Sequence, residues 1–355
     1  MLDLISRRSL LCGMTASLTV AACARGQSEA QSVELAPGWV SGPDLPIRLQ
    51  EIYPAVLDET IYVVGGLSPD EPPGPIGISD RVFALAPGAT RWSERARLPI
   101  ATHHPNVIAI GGRLYAVGGF NASQGSGWSM TRAVQIYDPQ RNRWNRGPDM
   151  PLPFGETVMG LINGQLHVVT GRRPSGARNR DWSDHADTNA HILLDPATGH
   201  WSSAMPAPTA RNSATSAVLD DRLHVIGGRT VSGGNTNAHE VYDPADNRWT
   251  RLAPLPQPSA GPLGAGGLAA AVLDGTIYVF GGEWFDSAGG GVYAQVWAYD
   301  SDADQWDEIG FMPTPRHGLG AVVSNGRIYT IAGASRAGGN QTRSSVEIFT
   351  PGSSS

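Results

Sequence analysis

The stretch with the highest density of reactive side chains is residues 171–191, GRRPSGARNRDWSDHADTNAH. It holds four arginines, three aspartates, two histidines and a tryptophan, whereas only 16% of the chain is Asp, Glu, Lys or Arg. Side chains of the types that bind calcium or a transition metal occur here at Asp181, Asp184, Asp187, Asn189, His185 and His191. The aspartates match no calcium-loop pattern and nearby arginines can neutralise them, so we predict no metal site.

A second set of reactive side chains stands at fixed distances from six recurring apolar segments that end in glycine. Fifteen residues before the last residue of each segment lie Glu51, His104, Glu156, Ser213, Gly267 and Gly318. Seventeen residues before it lie Arg211 and Arg316, the latter followed by His317. One residue after it lie Leu67, Phe120, Arg172, Arg229, Glu283 and Ala334. Arginine can hold a carboxylate in two parallel hydrogen bonds and a nearby Glu or His can move a proton, so these positions predict a site for a polar or anionic small molecule.

The elements that position these side chains are short strands in a sixfold repeat. The segments are IYVVGG (61–66), LYAVGG (114–119), LHVVTG (166–171), LHVIGG (223–228), IYVFGG (277–282) and IYTIAG (328–333). Turn-forming pairs such as Asn163-Gly164 precede them, which predicts tight hairpins because type I′ turns need two residues with positive φ. Downstream stretches such as VYDPADNRW (241–249) indicate a third strand, a turn and a fourth strand, with a period near 53 residues.

This combination of doubled glycine, Tyr-Asp-Pro-like turn and tryptophan resembles the kelch repeat over residues 39–349. The resemblance implies a β-propeller, with one four-stranded blade per repeat around a central channel. We therefore predict an all-β, six-bladed propeller of four-stranded antiparallel blades over residues 37–350, followed by a short tail, 351–355.

The tryptophans that begin the outer strands predict how the ring closes. They are Trp39, Trp92, Trp144, Trp201, Trp249 and Trp306. Trp39 precedes the first glycine pair and nothing equivalent follows the last, so the N-terminal strand should complete the C-terminal blade and remove the exposed edges.

Loop lengths predict which face carries the function. From each tryptophan to the end of the next glycine segment the spacing is 27 residues five times and 33 once, because of the insertion PQPSAGPLGAGG at 256–267. Most other variation in spacing falls in the loop between the second and third strands. These loops lie on the same face as the links that enter the first strands. Loops on a rigid scaffold are where binding residues concentrate, and 171–191 is the longest of these loops.

Three tryptophans fall in these loops, at Trp128, Trp182 and Trp284. An exposed indole offers a flat apolar plate for a sugar face or for a protein hot spot. Packing beneath a long loop is the structural alternative.

The N-terminus predicts export. Arg7 and Arg8 precede an apolar run too short to cross a bilayer, which indicates a twin-arginine signal peptide over residues 1–22. The stretch VAAC (20–23) resembles a bacterial lipobox, which implies lipidation of Cys23 and a tether over residues 23–36; an ordinary cleavage site is the alternative. We expect a periplasmic protein that touches the membrane only through this lipid.

Composition excludes several classes of function. The two cysteines, Cys12 and Cys23, leave no thiol in the propeller for a disulfide, a thiolate metal site or a nucleophile. A formal charge of −6 without basic blocks disfavours nucleic acid. Kelch propellers similar to galactose oxidase use a Cys crosslinked to Tyr, so copper chemistry is not expected. We predict no cofactor and no metal, and we expect a monomer.

A partial resemblance to the N-acetylneuraminate epimerase family, six-bladed kelch propellers of the periplasm, implies a sugar isomerase. That family uses a Glu directly after a glycine and an Arg six residues later; Glu283 matches the Glu, while position 289 carries Gly.

Our leading hypothesis is a propeller that binds a sugar or acidic sugar at the loop face, and the residues leave open whether it is also a mutarotase or epimerase. In the catalytic form Glu283 or Glu156 acts as acid or base. The expected ligand contacts are Arg211, Arg229, Arg316, His317, His104, Glu51, Arg172, His185, Trp182, Trp284 and Trp128. The alternative is a non-catalytic scaffold that presents the same face to a protein of the cell envelope.

Overall fold

A computed structural model describes residues 36 and 38–352. The predicted signal peptide, Cys23 and all but residue 36 of the tether lie outside the described residues. Within them the regular elements are strands, apart from one short 3₁₀ helix, Trp182–Asp184. No helix in this part of the chain has the length and apolar character that a membrane span requires.

Six four-stranded antiparallel sheets form the blades, which confirms the predicted fold class. Blade 1 consists of Ala55–Leu57, Thr60–Val64, Val82–Leu85 and Ser93–Glu94. Blade 2 consists of Asn106–Ile110, Arg113–Val117, Val134–Asp138 and Arg143–Arg146. Blade 3 consists of Val158–Ile162, Gln165–Val169, His191–Asp195 and His200–Ser203. Blade 4 consists of Thr215–Leu219, Arg222–Ile226, His239–Asp243 and Arg248–Arg251. Blade 5 consists of Ala269–Leu273, Thr276–Phe280, Gln295–Asp300 and Gln305–Phe311. Blade 6 consists of Gly320–Ser324, Arg327–Ile331, Val346–Phe349 and Trp39–Ser41.

The ring closes where the sequence predicts. Strand Trp39–Ser41 pairs antiparallel with Val346–Phe349, with Trp39 opposite Phe349. Blade 6 therefore takes its outer strand from the N-terminal end of the propeller. This pairing covers the outer edge of Val346–Phe349 and gives blade 6 four strands, as in the other blades.

All six hairpins between first and second strands use two residues in the left-handed region. The pairs are Asp58-Glu59, Gly111-Gly112, Asn163-Gly164, Asp220-Asp221, Asp274-Gly275 and Asn325-Gly326. Two consecutive positive φ angles match the twist of the flanking strands, so these turns set the register of each blade.

The glycine pairs are required by contact with the next blade. Gly65 and Gly66 have φ angles of 64° and 104°, and a Cβ on Gly65 would lie 2.3 Å from the carbonyl oxygen of Thr102. The Gly66 N–H donates to that same carbonyl at 3.0 Å. An equivalent bond from Gly333 to Leu49, 2.9 Å long, joins blade 6 to blade 1. The weak copies Thr170 and Ala332 also have positive φ angles.

The repeated turn and tryptophan clasp neighbouring blades together. Ala96 donates its N–H to Asn142 Oδ1 at 2.8 Å and accepts the indole N–H of Trp144 at 2.8 Å. The same two bonds hold Met205 to Asn247 and Trp249, and Ala253 to Asp304 and Trp306. Buried apolar clusters fill the spaces between adjacent sheets.

Four two-stranded ribbons rise from the loop face between second and third strands. They are Leu67–Ser68 with Gly77–Ile78, Phe120–Asn121 with Ser129–Met130, Arg172–Pro174 with His185–Asp187, and Glu283–Trp284 with Gly291–Val292. The first strands of the blades line a narrow central channel of about 140 Å³ beneath them.

Candidate functional site

A cavity of about 360 Å³ lies where the ribbons surround the loop-face end of the channel. Its polar lining includes Glu51, His104, Glu156, Arg229, Glu283 and His317. Its apolar lining includes Leu67, Ile76, Trp128, Trp182, Val231 and Phe285. A cavity of this size with apolar walls and a few convergent polar groups has the form of a small-molecule site.

The polar lining is a closed ring of six residues in which carboxylates alternate with basic side chains. We call it the charge ring; it takes one residue from each blade or its entering link, in the order Glu51, His104, Glu156, Arg229, Glu283, His317. The closest nitrogen to oxygen distances are 2.9 Å for Glu51 and His104, 3.6 Å for His104 and Glu156, 3.6 Å for Glu156 and Arg229, 3.4 Å for Glu283 and His317, and 3.5 Å for His317 and Glu51. Arg229 and Glu283 are in direct contact through Nη1 and Oε1.

The register counted from the glycine segments accounts for this convergence. The six positions fifteen residues before each segment end all have positive φ, including the non-glycine residues Glu51, His104, Glu156 and Ser213. Backbone hydrogen bonds run between several of them, for example from Glu51 N–H to Gly318 O at 2.7 Å and from His104 N–H to Glu51 O at 3.1 Å. The positions just after each segment pair with the same links, as Arg229 does with Asn212. Both sets therefore meet around the channel mouth.

Hydrogen bonding sets the number of protons that the His103 and His104 rings share. His103 Nε2 lies 2.7 Å from the Gly127 carbonyl, His103 Nδ1 lies 2.7 Å from His104 Nδ1, and His104 Nε2 faces the Glu51 carboxylate. Because both ends of this chain accept hydrogen bonds, it needs three N–H groups on two rings, which is one more than two neutral imidazoles carry. Burial, followed by the charge of His104, lowers the pKa of His103 to about 3. The hydrogen bonds place one extra proton on the pair of rings as a whole, beside the Glu51 carboxylate.

His317 makes a similar bridge on the other side of Glu51. Its Nε2 donates to the carbonyl oxygens of Gly338 and Arg336, at 3.0 and 3.1 Å. Its Nδ1 lies between Glu51 and Glu283, whose oxygens only accept hydrogen bonds when ionised. These two contacts are attractive when Nδ1 carries a proton.

The ring keeps the Glu51 and Glu156 carboxylates ionised despite their burial. Burial raises the pKa of Glu51, but the charges of His104, His317 and Arg229 outweigh it, and the pKa falls well below its ordinary value. Burial likewise raises the pKa of Glu156, and Arg172 and Arg229 bring it below the ordinary range. The Glu51 side chain is 13% exposed, whereas that of Glu156 is fully buried, so a ligand in the cavity reaches Glu51 more easily.

Several buried polar atoms of this region have no hydrogen-bond partner among the described residues. They are Glu156 Oε1, Arg172 Nη1, Arg229 Nε, His185 Nδ1 and His317 Nδ1. Most buried polar atoms in proteins are paired, so the three that belong to cavity-lining residues, Glu156 Oε1, Arg229 Nε and His317 Nδ1, are candidates for contact with a ligand or with water.

The long loop 171–191 supplies both a wall and a support for the ring. The Arg172 guanidinium contacts Glu156 and lies 3.3 Å from the ring centre of Trp182, which fixes the indole beside the cavity. Asp184 accepts the backbone N–H groups of Arg180 and Asp181, so its carboxylate folds the loop. His185 bonds to the Trp128 carbonyl at 3.0 Å. Within residues 36 and 38–352, no group of three or more His, Cys, Asp or Glu is placed to hold a metal ion.

Arg211 and Arg316 do not lie in the cavity, which corrects their expected place among the ligand contacts. Both are fully buried inside their own blades, where Arg211 pairs with Glu240 at 2.9 Å and Arg316 pairs with Glu347 at 2.7 Å. Each belongs to a Thr-x-Arg sequence whose threonine hydroxyl donates to the other oxygen of the same glutamate. These arginines stand two residues earlier in the link than the positions at the channel mouth, and their side chains enter the sheet interior instead of the channel.

Trp284 also lies outside the cavity lining. Its ring packs on Tyr293 with 4.6 Å between ring centres, within the loop of blade 5, as in the structural alternative. The ligand contacts expected at Trp128, Trp182, Glu51, His104, Arg229, Glu283 and His317 do line the cavity. Arg172 and His185 support it from behind.

Sequence reasoning missed Phe285, which lines the cavity beside Arg229. The signal was the alternation of a strand: in Glu283, Trp284 and Phe285, the first and third residues face the cavity and the second faces away. It also missed the Gly338 N–H, which donates to Glu283 at 2.8 Å, because a backbone donor has no mark in a sequence.

Comparison with known proteins identifies kelch repeats over most of the propeller. Residues 161–354 match the family model described as KLHDC2/KLHL20/DRC7 Kelch-repeats domain, and residues 101–151 match the Kelch motif. The chain is similar to Kelch-like protein terF of Aspergillus terreus, 26% identical over 89% of this chain and 68% of that protein. It is 28% identical to Kelch-like protein 35 of Mus musculus over 88% of this chain, but spans only 40% of that protein.

A solved structure, "Structure of YjhT", shares the fold. It superposes with a TM-score of 0.73 and 20% sequence identity, and the match covers 88% of this chain and 98% of that chain. At this identity the likeness shows the propeller architecture alone.

Proposed function

Since the chain belongs to the kelch-repeat family, we propose that it binds a sugar or a related polar small molecule in the cavity at the loop face of its propeller. The observation that carries the proposal is the combination of aromatic walls with the charge ring at the base of one cavity of about 360 Å³. Aromatic rings pack against the C–H face of a sugar, while charged groups of both signs bond its hydroxyls. A rigid scaffold holds these groups in place before any ligand arrives.

Trp182 and Trp128 form the stacking surface of the proposed site. Their rings meet edge to face with 4.8 Å between centres, and Trp182 is 40% exposed. The guanidinium of Arg172 stacks on the indole of Trp182. A ligand that stacks on this indole is thereby placed within the cavity that the charge ring lines.

The test is ligand-observed NMR of the full-length protein with reducing sugars and sugar acids. Trp182→Ala should remove the saturation-transfer signal of a bound sugar because the stacking surface is lost. Trp284→Ala is the matched control, since that loop tryptophan lies outside the cavity, and it should keep the signal. Loss of signal in both variants, or in neither, contradicts the proposed site.

Catalysis in this cavity would fall to the carboxylates of the ring. A general acid or base works best with a pKa near the working pH. Glu156, whose pKa lies below the ordinary range and which Arg172 contacts directly, suits hydrogen-bond acceptance better than proton donation. Binding is therefore the primary proposal, and mutarotase or epimerase activity is its catalytic extension. The same NMR samples report anomer exchange, and a catalytic role for Glu283 requires that Glu283→Gln abolish the exchange while binding persists.

A protein ligand at the same face is the second candidate. Phe285 and Trp182, 47% and 40% exposed, stand at the rim where a partner side chain could insert. Absence of every sugar signal, together with crosslinking of a partner that Trp182→Ala and Phe285→Ala both reduce, would favour this candidate over a sugar site.

We also propose that the protein is exported and anchored through lipidated Cys23. Replacing Arg7 and Arg8 with lysine should retain the protein in the cytoplasm, because twin-arginine signals depend on that pair. Cys23→Ser should release it from the membrane fraction. A membrane association that survives Cys23→Ser contradicts the anchor.

A further inference from the structure

The charge ring has no cation to spare for an acidic ligand. The basic groups of the ring are Arg229, His104 and His317, and Arg172 contacts the ring through Glu156. The acidic groups linked to it are Glu51, Glu156, Glu283 and Asp187. Asp187 belongs to this count because Asn212 bonds both to it, at 2.5 Å, and to Arg172, at 3.2 Å. When His104 and His317 are both protonated, the positive and negative charges of the two sets are equal in number. When either histidine is neutral, the net charge of the region is negative.

A carboxylate ligand would therefore enter a region that is neutral at most. An ion taken out of water needs a partner of opposite charge, and an unpaired buried charge costs several kcal/mol. Every guanidinium of the set already contacts a ring carboxylate, since Arg172 contacts Glu156 and Arg229 contacts Glu283. An acid could gain an arginine only by displacing one of those carboxylates.

The unpartnered atoms point independently to hydroxyl groups. Glu156 Oε1 is an acceptor without a donor, whereas Arg229 Nε and Arg172 Nη1 are donors without an acceptor, within the described residues. A hydroxyl both donates and accepts, so one type of ligand group suits both Glu156 Oε1 and Arg229 Nε, whose side chains line the cavity, while Arg172 lies behind it. A carboxylate only accepts, and it would repel Glu156.

From these two observations we propose that the cavity selects an uncharged, polyhydroxylated ligand, a neutral sugar or polyol, over the corresponding sugar acid. The inference rests on the proposed function and narrows its ligand class. The aromatic walls supply affinity that does not depend on charge, and the balanced ring supplies the discrimination against acids.

The experiment compares matched neutral and acidic ligands on the full-length protein by calorimetry and ligand-observed NMR at pH 7. The pairs are glucose with glucuronate, galactose with galacturonate, and the methyl ester of N-acetylneuraminate with N-acetylneuraminate. We expect the uncharged member of any bound pair to bind at least about tenfold more tightly, given the penalty for an unpaired buried charge. Equal or tighter binding of the acid overturns this inference and leaves the proposed sugar site standing. No binding of any member overturns the proposed function itself, and this inference with it.

Glu51→Gln sharpens the test by giving the ring a spare positive charge. In this variant the ratio of the affinity for the acid to the affinity for the neutral sugar should rise about tenfold relative to the unaltered protein, because one acidic group is lost while all cations remain. Glu94→Gln is the control, since Glu94 lies on the outer strand of blade 1 and pairs with Arg81 far from the cavity; its preference should not move. An unchanged preference in folded Glu51→Gln contradicts the charge-balance argument. If that variant does not fold, the matched pairs on the unaltered protein still decide.

Discussion

Arginine and glutamate meet in two different settings in this propeller. In blades 4 and 6, Arg211 with Glu240 and Arg316 with Glu347 form isolated pairs sealed inside one sheet. At the channel mouth, Arg229 belongs to a ring of six groups that borders a cavity, and its side chain is 11% exposed. The sealed pairs also use threonine hydroxyls and backbone carbonyls to satisfy the charges. Among the described residues, each sealed arginine leaves only its Nε without a partner, whereas the ring also leaves a carboxylate oxygen unpartnered, Glu156 Oε1. Similar chemistry thus serves stability in one setting and is open to a ligand in the other.

The largest effect is expected from breaking a sealed pair. Arg316→Met should lower the free energy of unfolding by about 3–5 kcal/mol, because Glu347 is left as a buried charge without a partner. Denaturant titration measures the loss. Adding Glu347→Leu should restore most of the stability, since an apolar pair of similar volume removes both charges. A single variant as stable as the unaltered protein would show that the pair is not structural.

Two buried histidine pairs provide a further comparison, because a positive charge that forms on either pair would have no counterion between the blades. His167 with His191 and His224 with His239 each meet ring nitrogen to ring nitrogen at 2.9 Å. Burial lowers the pKa of His167 and His224 to about 4; for His191 and His239 burial and then the neighbouring histidine lower it to about 3.

Stability should therefore fall as the pH drops. The unfolded chain takes up protons near pH 6.5 while these folded histidines remain neutral, so each one removes up to about 1.4 kcal/mol per pH unit below 6.5, until its folded pKa is reached. Other blades carry Tyr and Val at these positions, as Tyr115 and Val134 do in blade 2. His167→Tyr with His191→Val should flatten the dependence of unfolding free energy on pH, and the exposed His200→Asn should not. Identical slopes for all three proteins would argue against the histidine pairs as the cause.

Breaking the ring at Arg229 should affect binding more than folding. Arg229→Gln should weaken sugar binding at least about tenfold because a charge-assisted donor is lost, while unfolding free energy falls by about 1–3 kcal/mol. The smaller stability loss reflects the cavity, through which water can reach Glu283. Calorimetry and denaturant titration on the same preparation separate the two effects. A stability loss as large as that of Arg316→Met, without a change in binding, would place Arg229 with the sealed pairs.

The smallest effect is expected at the surface, where Arg81 and Glu94 form an exposed pair 2.9 Å apart. Arg81→Gln should change the free energy of unfolding by less than about 1 kcal/mol, because water and salt screen both charges. Denaturant titration at low and high salt checks this value. A loss of unfolding free energy as large as that expected for the sealed pairs would show that burial does not explain why the sealed pairs contribute more to stability.

The sequence was informative wherever a residue type answers a backbone demand. Asn163-Gly164 predicted a hairpin because few residues tolerate two positive φ angles, and the fixed distance from tryptophan to glycine predicted six equivalent blades. The same counting placed Glu51, His104 and Glu156 at one level of the ring, because equivalent positions of a repeat occupy equivalent places. It was less informative for Arg211 and Arg316, whose side chains are long enough to reach either the channel or the sheet interior.

By itself, then, the sequence determined the blade count, the closure through Trp39 and the face that carries the cavity, since all three follow from repeat spacing and turn chemistry. Only the tertiary structure decided which charged residues meet. The charge ring joins residues as distant as Glu51 and His317, and its balance depends on which hydrogen bonds each histidine makes. No local pattern encodes such contacts, because they exist only after the propeller has closed and six separate links lie side by side around one channel.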